Sequence, residues 1–464
     1  MNGAPRNHTE LLSAVDVSAQ SGDWAEMRKL FDESPAHIFK SRACLYYLRS
    51  AIYDKNIESF ARAIEILHDI ETPQHLQSAI KKAIARAQFS AVPKRTQTLI
   101  SDISSKFFLE KAKKCIAPRE RYVARYSIND LCASHEMKTF QRHHVTIQGS
   151  SAVSDKTIAG FHEMRLGMEK WQSLSGSLEL RCFENVAANR SGVVWRQETE
   201  GKFQGGTNQR LASLLPGVGV SISSALLVTD PTKGLYHWYL ERLPALALSI
   251  KAGIDVQAVL FGDHNQKFQE EMINLCFDEP PNTIRVADEI QVEELFVPNV
   301  SIRFLDGRRL HSLLYDKLKE NAAEAACGYN IGERVYISRR YAKNRKLINE
   351  QEVESRLDQL GFRSVALENI SLAEQISLVT SAKIIVAPHG AGLSHIITSE
   401  QGARIFELVP THQPWSLRFN FARISYLIGH QHFLWLEPAN LLTEEWRVDI
   451  EPMMEALKQF IASE

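Results

Sequence analysis

The chain has 464 residues, 44% of them apolar and 23% charged, and its 54 Lys and Arg nearly balance 55 Asp and Glu. That length predicts two or three domains with ordinary cores, and the apolar fraction excludes a disordered chain. A net charge of −1 gives no electrostatic case for nucleic acid as a partner. The six cysteines (Cys44, Cys115, Cys132, Cys182, Cys276, Cys327) lie at least 17 residues apart with no C-x-x-C. That is neither a zinc pattern nor a disulfide framework, and it fits a reducing compartment. The opening MNGAPRNHTELLSA has no signal-peptide core, and the apolar neighbourhood 235–255 carries Glu241, Arg242 and Lys251, so no bilayer span is expected. A cytoplasmic, multi-domain protein is the expectation.

Residues 8 to about 125 show helical spacing throughout, which predicts an N-terminal all-α domain over 1–125. GDWAEMRKLFDESP and KNIESFARAIEILHD resemble each other at an offset of about 33 residues, near the period of tetratricopeptide-like hairpins. Between Lys81 and Arg125 there are twelve Lys and Arg against three Asp and Glu, interleaved with Phe89, Phe107, Phe108 and Leu109. A solvated helix face is the favoured reading of this stretch. Peripheral contact with an anionic membrane surface is the alternative.

From about residue 143 short β-rich runs alternate with helical stretches at 236–252 and 264–276, predicting a mostly parallel α/β unit over 140–325. A second unit, 326–438, reads strand (ERVYISRR), helix (NEQEVESRLDQLGF), strand (RSVALEN), helix (SLAEQISLVTSA), strand (KIIVA), glycine loop, short helix, strand (ARIFELV). Asn349 is the expected N-cap of its first helix and Gly361 its end; Ser371 and Glu374 have capping-box spacing in the next. This is a Rossmann-type half-sheet. An amphipathic C-terminal helix closes the chain within 439–464.

Three segments carry chemistry. Pro388, His389, Gly390, Ala391, Gly392 and Leu393 follow a buried-type strand, where an open α/β sheet places its ligands and where the next helix points its positive end. A phosphate or sugar can approach such a backbone; the plainer reading is a glycine turn needing positive φ, with His389 capping it. The spacing is not G-x-G-x-x-G or a Walker loop, so a dinucleotide or ATP is not indicated. Arg339 and Arg340 end a strand of the same half-sheet, with Arg345 and Asn349 leading into the next helix, a set suited to clamping a diphosphate or else a solvated basic loop. Glu407 is read as a strand-end carboxylate able to accept from sugar hydroxyls. In the first α/β unit, His237 and Glu241 stand four apart at the start of a helix, a general-base pair or an interface hydrogen bond, with Asp230 upstream as a rival base. No Asp-x-Asp, metal-ligand cluster or G-x-S-x-G elbow is present.

The segments YHWYLERLP (236–244), YISRR with NEQEV (336–353), LEN with SLAEQISLVTSAKIIVAPHGAGLSHII (367–397), ARIFELVP (403–410) and ARISYLIGHQHFLW (422–435) resemble glycosyltransferase family 61, over roughly residues 220–460. The resemblance implies a GT-B pair of Rossmann-type domains, an inverting transfer and no essential metal or other cofactor. His237, supported by Glu241, would take the acceptor proton. Arg339, Arg340, Arg345, Asn349, Glu407 and the loop from His389 to Leu393 would hold a nucleotide sugar. A glycan or lipid-linked glycan of bacterial surface polysaccharide is the implied acceptor. Two other readings are weighed against it: a pyruvyl-type transferase using phosphoenolpyruvate, and a non-catalytic scaffold on the same fold.

Overall fold

The computed structural model describes residues 24–35, 39, 41–53, 56–69, 93, 95–100, 120–135, 140–169, 177–189, 193–195, 204–205, 220–228, 234–262, 267–287, 289–300, 311–342, 344–411, 418–439 and 445–463, with isolated positions 10, 11, 15, 80 and 84. Helices Trp24–Glu33, Ser41–Tyr53 and Ile57–Asp69 bury Phe31, Tyr47, Phe60 and Leu67 in a core of their own, with the Phe31 and Tyr47 rings stacked at 5.1 Å. Most of the basic stretch 81–125 lies outside the described residues, and the membrane-contact expectation lies there with it.

The described strands are β1 (Glu120–Ser127), β2 (Thr146–Gly149), β3 (Ser177–Asn189), β4 (Val193–Trp195), β5 (Gln204–Gly205), β6 (Val220–Leu227) and β7 (Ala258–Gly262). They continue as β8 (Thr283–Val286), β9 (Glu289–Val300), β10 (Arg334–Ser338), β11 (Arg363–Ala366), β12 (Ile384–Pro388), β13 (Arg404–Pro410) and β14 (Gln431–Glu437). The first sheet runs β5-β4-β3-β9-β6-β7-β8, with β1 also on β3. Its β9, β6, β7 and β8 are parallel, while β1, β3, β4 and β5 extend it antiparallel. The helix expected to reach about 125 therefore gives way to a strand at Glu120. The β-prone Tyr122, Val123 and Tyr126 fall in a segment that pairs with β3 along its length, and pairing overrides a local helical period.

The second sheet, β11-β10-β12-β13-β14-β2, is parallel throughout. Side chains alternate between its faces: Ile385 and Ala387 enter one core, Ile384 and Val386 the other. Burial on both faces is why KIIVA reads as an unbroken apolar run. The C-terminal helix Ile450–Ala462 covers the second of these faces with Met453, Leu457 and Phe460. Arg404 ties it down by donating to the carbonyls of Phe460, Ile461 and Ser463.

One segment changes sides relative to the expected boundaries. Within 140–325, β2 pairs with β14 from Thr146 opposite Phe433 to Gly149 opposite Leu436, and helix Asp155–Glu169 packs Phe161 and Met168 against Val409, Phe419 and Leu434. β2 thus covers the exposed edge that β14 would otherwise present, which is the physical reason for the exchange. A single apolar core runs between the two sheets, joining Leu226, Tyr239 and Leu246 to Ile337, Leu367 and Leu393. Among the described residues no helix is long and apolar enough to cross a membrane.

Local signals behave as their chemistry requires. Ser371 and Glu374 close a full capping box on helix Leu372–Ser381, and Gly361 takes φ +79° after helix Glu350–Asp358. Replacing Ser371 by Ala should cost about 1 kcal/mol. Urea unfolding would show this as a lower midpoint with an unchanged slope.

Candidate active site at the switch point of the second sheet

Counted from β10, the second sheet has the order 2-1-3-4-5, so its topology reverses between β10 and β12. The chain leaves these two strands at Ser338-Arg339 and Pro388-His389, and the two segments touch. Arg339 Nη1 donates to the His389 carbonyl and Nη2 to that of Asn344 at 3.4 Å. The Arg339 backbone N–H donates to Glu350 Oε1 at 2.6 Å, and that oxygen also accepts from Tyr336 Oη at 3.0 Å and Ser338 Oγ at 3.1 Å. Glu350 therefore fixes the backbone from which Arg339 departs and leaves the guanidinium itself to carbonyl oxygens.

Burial pushes Arg339 down to about 10, with Arg345 nearby adding to the effect and Glu350 and Glu368 opposing it. It stays charged at neutral pH, and no described carboxylate pairs with its guanidinium. A desolvated cation held only by neutral oxygens is a place for an anion.

The glycines serve this arrangement by close approach, and the positive-φ alternative does not hold. Gly390 is extended (φ −176°), and a Cβ there would lie 2.6 Å from Arg339 Nη1; a Cβ on Gly392 would lie 2.7 Å from Leu367 Cδ1. Gly390 admits the arginine over its backbone. Ala391 then opens a 3₁₀ helix, Ala391–Thr398, at the carboxyl end of β12, and Ala391 is exposed. Leu393 is buried in the shared core.

Several expected ligand contacts are engaged elsewhere. Arg340 turns away to pair with Glu354 at 2.6 Å. Asn349 occupies the N-cap position without capping. Its amide donates to the Val448 carbonyl at 2.9 Å and accepts from the Val448 N–H at 3.0 Å, stapling the C-terminal segment. Arg345 stands in the left-handed region (φ +55°), its carbonyl accepting from Trp446 Nε1 at 3.0 Å. Glu407 does not end its strand: it lies mid-β13 between Ala387 and Leu434, fully buried. It joins His389 Nδ1 at 2.5 Å and His432 Nε2 at 3.0 Å, and His432 Nδ1 meets Ser425 Oγ at 2.7 Å. Burial pushes the Glu407 carboxyl well up, Arg418 pulling it back, and burial holds His432 down near 3. The carboxyl thus sets the ring orientation of His389 and does not reach a sugar hydroxyl.

On the facing unit, His237 ends a helical turn (Leu235–His237) that continues as a π-turn (Trp238–Arg242) and then as helix Leu243–Lys251. π-turns interrupt a helix at a cost and recur at functional sites. His237 Nδ1 is 3.2 Å from Glu241 Oε1, and both side chains are partly exposed. The turn packs against the 3₁₀ helix of the other unit. Rings lead across: His237 to Tyr236 at 5.4 Å, Tyr236 to Phe421 at 5.8 Å, Phe421 to His389 at 5.0 Å. Asp230 lies outside the described residues. Among the described residues no three His, Cys, Asp or Glu side chains gather as a metal-ligand set.

Sequence reasoning missed Glu350, Tyr239, His395 and His432. His395 had a signal: a histidine followed by Ile396 and Ile397 on a buried helix must find hydrogen-bond partners.

The fold is a two-unit α/β protein with a buried arginine at a switch point and a histidine–carboxylate pair on the facing unit. Residues 235–406 match the model of a family described as Glycosyltransferase 61. The chain is also similar to the EGF domain-specific O-linked N-acetylglucosamine transferase of Drosophila melanogaster, 33% identical over 82 residues, which are 17% of this chain and 16% of the fly protein. The chain thus spans about a sixth of the length of that curated relative.

Buried neutral histidines make stability pH-dependent. Burial holds both His395 and His432 near 3 against an ordinary 6.5, so below 6.5 the unfolded chain takes up protons that the folded chain refuses. Stability is complete above pH 6.5 and falls toward pH 3. His395→Asn should flatten this dependence by up to about 1.4 kcal/mol per pH unit, measured by urea unfolding from pH 7 to 4.5.

Proposed function

We propose that the protein is an inverting glycosyltransferase of GT-B architecture that moves a sugar from a nucleotide-activated donor to a glycan or lipid-linked glycan, as in bacterial surface polysaccharide synthesis. The observation that carries this reading is the desolvated Arg339 guanidinium at the switch point, without a carboxylate partner and lying over Gly390. The family match over 235–406 supports it. Departure of a nucleoside diphosphate builds negative charge on its terminal phosphate, and a fixed cation beside helix N–H groups stabilises that charge without reorganisation. Arg345 adds to the same field.

His237 takes the proton of the acceptor hydroxyl as the new glycosidic bond forms and the bond to the diphosphate breaks. Glu241, 3.2 Å from its Nδ1, stabilises the imidazolium that results. His389 is set in orientation by Glu407 at the diphosphate end. Four of the five described cysteines are buried, and a reducing compartment is the proposed place of work.

Two outcomes check the division of labour. His237→Ala should reduce transfer at least ~100-fold while leaving the thermal shift with the cognate nucleoside diphosphate intact, as removal of a general base requires. Arg339→Ala should remove that shift, which for a ligand at ~100 times its dissociation constant amounts to about 2.7 kcal/mol in the wild type. Wild-type transfer by His237→Ala would overturn the base assignment. A thermal shift with phosphoenolpyruvate and with no nucleotide would overturn the donor class.

A further inference from the structure

Beside the crevice, a run of hydrogen bonds, buried at Tyr239 and His395 and part-buried at Gln375, crosses from one α/β unit to the other. Tyr239, in the π-turn two residues after His237, meets His395 Nδ1 through its hydroxyl at 2.8 Å. His395 belongs to the 3₁₀ helix that starts at Ala391, and its Nε2 meets Gln375 Oε1 at 2.9 Å. Gln375 in turn donates from Nε2 to the carbonyls of Leu367 at 3.0 Å and Ile370 at 3.2 Å. Those two bonds orient the amide, so its oxygen faces His395. An amide oxygen only accepts, hence His395 carries its proton on Nε2 and accepts from Tyr239 Oη at Nδ1. On the other side, Tyr315 Oη donates to the Tyr239 backbone carbonyl at 2.6 Å. Tyr239, Tyr315 and His395 have no more than 2% exposure, and the rings of Tyr239 and His395 meet edge to face at 5.5 Å.

A packed apolar interface resists separation but tolerates small slides; a directional, fully satisfied hydrogen-bond chain has one register. The register here relates the turn bearing His237 to the helix that starts at the carboxyl end of β12. We infer that Tyr239, with His395 and Gln375 behind it, is a positioning residue that fixes the proposed base against the proposed diphosphate site. The inference rests on the glycosyltransferase reading. Neither Tyr239 nor His395 touches substrate in this scheme; they act through His237 and the Ala391–Thr398 helix. A misplacement of about 1 Å between reacting groups costs on the order of 100-fold in rate, so Tyr239→Phe should lower kcat by roughly 10- to 100-fold with donor KM unchanged.

The test uses the full chain, UDP, GDP, ADP and dTDP with their sugars, and three variants: Tyr239→Phe, His395→Leu and His395→Asn. Asparagine places an amide oxygen near the position of Nδ1 and so keeps an acceptor for the Tyr239 hydroxyl; leucine does not. Hydrogen exchange of the wild type with its diphosphate should show slowed amides in both 391–398 and 235–251. In Tyr239→Phe and His395→Leu the slowing should be confined to 391–398, and His395→Asn should restore it to 235–251. Equal slowing of 235–251 in the wild type and Tyr239→Phe, or unchanged kcat in that variant, would overturn the positioning role while the transferase reading stood. A folded wild type that neither binds any of the four diphosphates nor consumes their sugars would overturn the transferase reading, and the positioning role with it.

Discussion

A carboxyl group removed from water costs several kcal/mol unless polar neighbours replace the lost hydration. The second α/β unit accepts that cost at Glu407, in the middle of a parallel sheet, and much of the crevice depends on how it is met. One oxygen goes to His389 at the end of β12, the other to His432 on β14, and Ser425 supports His432 from the helix in front. Three neighbouring strands are thereby locked at one level across the sheet. The loop after β12 leaves from a side chain whose orientation is set below it. The arginine that lies over that loop donates to the carbonyl of the same histidine.

The second unit was legible because its strands are buried on both faces and its helices carry caps. KIIVA, the Ser371 capping box and Gly361 each state their structure locally. In the first sheet the short β-rich runs that become β4, β6, β7 and β8 were legible as well, whereas β1, β3 and most of β9 were not. β3 and β9 pair over eleven residues of each strand, yet they read SLELRCFENVAAN and EIQVEELFVPNV, with charges at Glu179, Arg181, Glu184, Glu289, Glu293 and Glu294 that also suit an amphipathic helix or a loop. Only the apolar end of β9 announces itself. The pairing that makes these segments strands comes from residues a hundred or more positions away, outside any local window.

The same distinction divides the site. Arg339, His389 and the glycines were legible as a place, since strand ends at a reversal of topology are where an open sheet receives ligands. Their roles were less so. Asn349 resembles a cap and an amide donor, but its partner is 99 residues downstream. Arg340 resembles its neighbour, but a glutamate on the next helix claims it. Gly390 suggests a turn, whereas the space it leaves is filled by a guanidinium. In each case the residue type fixed what chemistry was available, and a distant partner decided which use was made of it.

β2 gives the molecule a threaded connectivity. The chain begins the first sheet with β1, leaves it to pair β2 with β14, returns for β3, and departs again for β10. Ser150, just after β2, donates to Glu437 across a separation of 287 residues. Three covalent crossings therefore join the halves, where a simple tandem of two domains has one. Each added connection removes freedom of relative motion between the halves. Cutting the chain between the sheets at residue 326 would not release a complete C-terminal half, because the edge strand that finishes its sheet is made near the beginning.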